Sequence, residues 1–169
     1  MKYLTSTLLI LIASLSGACT FAPEKTSNNP EQAALEEAQK LEPLNGKKLD
    51  LSSQNLDKVP ANVFSRRDLD ELDLSYNKLT GAIPAEIRHL SNLKVLKLDH
   101  NQMTGVPAEV GQLSKLENLD LSYNKLTGLP QELANLKNLK TLNLKGNNYS
   151  SQDLEYIRSR LPNTNFILN

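Results

Sequence analysis

The sequence predicts an α/β repeat solenoid, and three observations lead there. Leucine recurs on a fixed template, the template restarts every 23 or 24 residues, and asparagine holds the same place in four copies. The 169 residues are enough for one modest domain. With no Trp and few aromatic residues, its core must be built mainly from aliphatic side chains. The 19 basic and 19 acidic residues balance, so nothing in the charge argues for nucleic acid as a partner.

The chain opens on Lys2 and an apolar run from Leu4 to Leu15, then small residues Ser16, Gly17 and Ala18 before Cys19, the single cysteine. This order is that of a signal peptide over residues 1–18. The stretch Leu15-Ser-Gly-Ala-Cys19 resembles the lipobox of bacterial lipoproteins, although Ser16 stands where that box usually carries Leu. The resemblance implies that Cys19 is acylated and anchors the mature chain. Thr20 in place of aspartate implies the outer membrane or cell surface, and simple secretion after Ala18 is the alternative. Residues 19–29 are polar and Pro/Ser/Thr/Asn-rich, as expected of a flexible tether. Asn29-Pro30 then starts an alanine-rich stretch with early acids, which predicts an N-terminal capping helix over 30–43.

From residue 44 to 169 the repeat takes over. Leu69, Leu72, Leu74, Asn77 and Leu79 align with Leu93, Leu96, Leu98, Asn101 and Met103; the next copies carry Asn124 and Asn147, and a degenerate first copy has Gln54 instead. This pattern resembles the leucine-rich-repeat family, L-x-x-L-x-L-x-x-N-x-L, over about five repeats. Alternation in each short strand sends Leu72 and Leu74 inward and leaves Asp73 and Ser75 outward. Stacked copies then form a curved parallel sheet on the concave side. In the family the repeated asparagine bonds backbone groups where the chain leaves the strand. The resemblance therefore assigns Asn77, Asn101, Asn124 and Asn147 to a buried structural ladder.

The second half of each unit carries Pro84, Pro107 or Pro130 followed by apolar residues three or four apart. Proline at a first helical position and that spacing predict short helical or 3-10 segments on the convex side. The extra residue of the 24-residue unit is Ala82, an insertion expected to be tolerated there. Ser150 with Asp153 reads as a capping box for a C-terminal capping helix through Leu154, Ile157 and Leu161, with Pro162 as its stop. Phe166-Ile-Leu168 reads as a last strand.

Outward strand residues form columns. Ser53, Tyr76, His100, Tyr123 and Gly146 share one, so two tyrosines and a histidine would make a stripe on adjacent strands. The stripe reads either as a binding surface or as rings that merely pack side by side. A second column alternates Lys47 and Lys48, Asp70 and Glu71, Lys94, Glu117 and Lys140, and a third runs Asp50, Asp73, Lys97, Asp120, Asn143. The candidate partner-binding residues are therefore Tyr76, His100, Tyr123, Asp73, Lys97 and Asp120. With two histidines and one cysteine, no metal site or cofactor is expected. Asp99 is expected on the face opposite His100, so the two would form no dyad, and no catalytic machinery is visible. These readings point to a non-catalytic module of the bacterial envelope that binds a protein or peptide; the alternative is a glycan-binding adhesin or a structural lipoprotein. Capped ends favour a monomer.

Overall fold

The structure, a computed structural model, describes residues 47–169. The signal segment, Cys19, the tether and the helix expected over 30–43 lie outside the described residues. Six strands of three residues each form one parallel sheet. They are β1 (Lys48–Asp50), β2 (Glu71–Asp73), β4 (Val95–Lys97), β6 (Asn118–Asp120), β7 (Thr141–Asn143) and β8 (Asn165–Ile167), in that spatial order. Their register explains the leucine template. Leu49, Leu72, Leu96, Leu119, Leu142 and Phe166 pair in succession, so the central residue of every strand enters one continuous row. All five leucines of that row are buried, whereas Phe166 at the end is half-buried under the Arg158 guanidinium.

A two-stranded sheet, absent from the sequence expectation, pairs β3 (Thr80–Gly81) with β5 (Gln102–Met103). It absorbs the longer repeat. Gly81 adopts φ +66°, a conformation that side chains resist, and its carbonyl accepts from both Thr104 and Gly105 N–H groups.

Opposite the main sheet stand four 3-10 turns: η1 (Ala61–Ser65), η2 (Ala85–His89), η3 (Ala108–Gln112) and η4 (Gln131–Asn135). The expected proline role needs a correction of one position. Pro60, Pro84, Pro107 and Pro130 are N-caps with extended ψ, not first helical residues. Each carbonyl accepts the N–H three residues on, and proline's fixed φ and missing N–H suit a boundary where no donor is needed. Ile87, Val110 and Leu133 turn inward and are fully buried.

The final helix, α1 (Ser151–Arg160), packs on η4 with Ile157 buried. Its capping box is only half formed. The Asp153 N–H donates to Ser150 Oγ at 3.4 Å, but the Asp153 carboxylate turns away and accepts from Leu129 N–H at 3.1 Å. Tying the helix to the preceding repeat replaces the local reciprocal bond.

Candidate partner-binding face

Each strand of the main sheet is followed by a turn whose geometry decides where the exposed side chains stand. Ser53, Tyr76, His100, Tyr123 and Gly146 all have positive φ, from 51° to 73°. Only glycine adopts this region freely, so a Tyr or His there is held by its surroundings. The hold is the asparagine in the next position. Asn101 Nδ2 donates to the Leu74, Leu98 and Asp99 carbonyls while its Oδ1 accepts from Leu79 N–H. Asn77, Asn124 and Asn147 make the same set one repeat away. Gln54 contributes no such side chain; its own N–H donates to Asn77 Oδ1.

That shared turn brings the rings into register. Tyr76 stacks on His100 with centroids 4.2 Å apart and planes 9° apart, and His100 stacks on Tyr123 at 4.5 Å and 29°. Tyr76 and Tyr123 remain exposed, at 57% and 44%. Lateral packing and surface display are thus both properties of the same stripe.

The sequence expectation for Asp99 is overturned. His100 Nδ1 lies 2.9 Å from Asp99 Oδ2. Strand alternation stops at Lys97, where β4 ends, and the left-handed turn at His100 swings its ring back over the preceding carboxylate. With a carboxylate as acceptor, Nδ1 is the donor, which leaves Nε2 as the acceptor of the neutral ring. The bond to Asp99 fixes the orientation of the His100 ring within the column.

Asp73 and Ser75 depart from their expected outward exposure: both are buried. Ser75 donates to Asp73 Oδ1 through its backbone N–H at 3.0 Å and its hydroxyl at 2.6 Å. Lys97 Nζ donates to Asp73 Oδ2 at 3.0 Å and also pairs with Glu71 at 3.3 Å. Burial works against the Asp73 carboxylate, but the Ser75 and Lys97 hydrogen bonds outweigh it and hold its pKa below the ordinary 3.8. Lys97 is correspondingly raised above 10.5, chiefly by its hydrogen bond to Asp73. Asp120 repeats the motif with Ser122 and accepts from Asn143 at 2.9 Å. The third column is therefore an internal bracing row more than a display of free charge. Ser75 and Ser122 were missed as its partners, although the repeated triplets Ser75-Tyr-Asn77 and Ser122-Tyr-Asn124 carried the signal.

In the second column opposite charges meet across strands. Lys48 reaches Glu71 at 2.9 Å, Lys47 and Lys94 flank Asp70, and Lys140 pairs with Glu117 at 2.6 Å. The Lys140 hydrogen bond draws the Glu117 pKa down. These pairs are solvated and each contributes little to stability. Among the described residues no cluster of His, Cys, Asp or Glu has metal-binding geometry, and no helix is long and apolar enough to cross a membrane.

A stack of strand-and-turn units, with a parallel sheet on one side and 3-10 turns on the other, defines a repeat solenoid. The chain belongs to the leucine-rich repeat family, whose model matches residues 47–103 and 91–148. It is similar to a leucine-rich-repeat protein of Leptospira interrogans, with 44% identity and a TM-score of 0.61 over 64% of this chain and 28% of that one. A plant peptide hormone receptor, RGFR1, solved in complex with RGF2, shares 30% identity and a TM-score of 0.59 over 72% of this chain and 24% of its own. The human volume-regulated anion channel subunit LRRC8B is 43% identical over 61 residues, 36% of this chain. The chain spans 28% of the Leptospira protein and 8% of the channel subunit.

Proposed function

We propose that this chain is a non-catalytic protein-binding module of the bacterial cell envelope, exported by its N-terminal segment and anchored through Cys19. It presents its sheet face to a protein or peptide partner, with Tyr76, His100 and Tyr123 at the centre of contact. The observation that carries this reading is the exposed ring stack, held rigidly by the asparagine ladder. Tyrosine supplies large contact area with little rotamer entropy to lose, and stacking has already removed most of that freedom. The similarity to a receptor solved with a peptide hormone supports the same reading. Asp73 and Asp120 act as braces behind the face, and Lys97 links Asp73 to Glu71.

The glycan-binding alternative is less well served. Sugars stack on ring faces, and the inner faces of this stack are already occupied by neighbouring rings.

The test is affinity capture from envelope extract with the full chain, beside a variant carrying Tyr76→Ala, His100→Ala and Tyr123→Ala. A partner held by the native chain and lost by the folded variant is the expected result. Equal recovery by both would remove the stripe as the contact site. Labelling with an alkyne fatty acid, abolished in Cys19→Ala, tests the anchor separately.

A further inference from the structure

The ring stack has two ends, and they differ. At the Tyr123 end the backbone closes in: a Cβ added at Gly146 would lie 2.7 Å from Tyr123 Cδ1, and Lys145 Nζ stands over the ring 5.9 Å from its centroid. That face is covered by the chain and already attended by a cation. At the Tyr76 end the next position in the column is Ser53, which is exposed and too small to cover a ring. Tyr76 is accordingly the most exposed large hydrophobic side chain among the described residues.

The edge strand that leads to Ser53 also carries a distinctive charge. Asp50 closes β1, opposite Asp73 and three residues before Ser53. It is exposed, and its Oδ1 accepts from Ser52 N–H at 3.0 Å. The neighbouring lysines are engaged elsewhere, Lys47 with Asp70, Lys48 with Glu71, and Lys97 with Glu71 and Asp73. Among the described residues Asp50 makes no ion pair, and no cation lies over Tyr76.

We propose that the outer face of Tyr76, over Ser53 and in the same edge repeat as Asp50, is the anchoring position for an arginine side chain of the protein or peptide partner. This rests on the sheet-face reading above and narrows it to one end and one chemistry. A planar guanidinium extends the stack by one more layer, is attracted to the electron-rich ring face, and offers paired N–H donors to the carboxylate. An ammonium shares the charge but cannot stack. A neutral aromatic ring stacks but leaves Asp50 without a counterion.

The test uses the full chain in detergent, with Tyr ring resonances followed by NMR as N-acetyl-arginine amide, N-acetyl-lysine amide or N-acetyl-tryptophan amide is added. The arginine probe is expected to move the Tyr76 signals, leave those of Tyr123 in place, and bind more tightly than the other two. Asp50→Asn removes the charge-assisted bond and should weaken the arginine probe by about tenfold. Ser53→Tyr covers the open face with a fourth ring and should abolish the response. It places tyrosine at a φ of 58°, which Tyr76 and Tyr123 already adopt at 55° and 51°, so the fold should survive, as unchanged circular dichroism would verify. Tighter binding of the tryptophan probe, equal shifts at Tyr123, persistence in Ser53→Tyr, or no response to arginine would each overturn the proposal. If the ring-dependent partner is captured while the arginine probe fails, this inference falls and the sheet-face reading stands.

Discussion

The repeated asparagine holds together the turn that follows the strand in four repeats. Asn101 satisfies four backbone groups from three segments, and it does so while buried. Replacing it with Ala leaves a buried donor and several acceptors unmet, so Asn101→Ala should cost about 3 kcal/mol in urea unfolding. Tyr76→Ala, at an exposed position, should cost less than about 1 kcal/mol. The Asp73 brace predicts a pH dependence with a definite sign. Its pKa is lower folded than unfolded, so its stabilisation is present above the ordinary 3.8 and lost as pH falls through the depressed value. Asp73→Asn should therefore destabilise at neutral pH, and the gap from the native chain should narrow as the pH falls below 3.8 and through the depressed value. Lys97 has the opposite sign: its contribution is present below 10.5 and lost only as pH climbs through its raised value.

The strands and turns are too short to be stable alone, two or three residues per strand and five per 3-10 turn, so contact between successive units decides their fate. The tightest contact is at Gly111 in η3. A Cβ there would sit 2.6 Å from the backbone carbonyl carbon of Glu132 in η4, which no rotamer change relieves. Gly111→Ala should cost about 1–3 kcal/mol by forcing the two turns apart. Gly105 has nothing within 4 Å of its added Cβ and no positive φ, so Gly105→Ala should be neutral or stabilising by up to about 1 kcal/mol. The pair of denaturation midpoints tests whether inter-turn spacing, rather than glycine content, limits stability. Sequence periodicity located the turns. It placed proline one residue late because apolar spacing marks the buried positions and says nothing of the boundary dihedrals.

At the scale of the molecule the core is a row of leucines one repeat apart, so stability should run along the stack and fall toward its last strand. Leu96 lies in the middle of that row with no exposure, and Leu96→Ala should cost about 2–5 kcal/mol. Among the described residues Phe166 in β8 has a neighbouring strand on one side only, and Phe166→Ala should cost less. Native-state hydrogen exchange should show the same gradient, with β4 and β6 protected longest and β8 exchanging first. A flat profile along the repeats would contradict nearest-neighbour stabilisation.

Period and residue type by themselves determined the architecture. Leucine at every strand centre requires a shared apolar interior, and a 23-residue step leaves stacking as the way to supply it. The same columns placed Tyr76, His100 and Tyr123 side by side, and the alternating charges of the second column across from one another. What only the tertiary structure decided lies beyond the strand ends. Left-handed φ at the ring positions turned the stripe into a stack closed at Gly146 and open at Ser53, and drew Asp99 onto His100. Burial of Asp73 and Ser75 likewise depends on what the next repeat lays over them. Alternation is a property of extended chain and carries no information past the last strand residue, where the backbone turns and neighbouring repeats choose each side chain's partner.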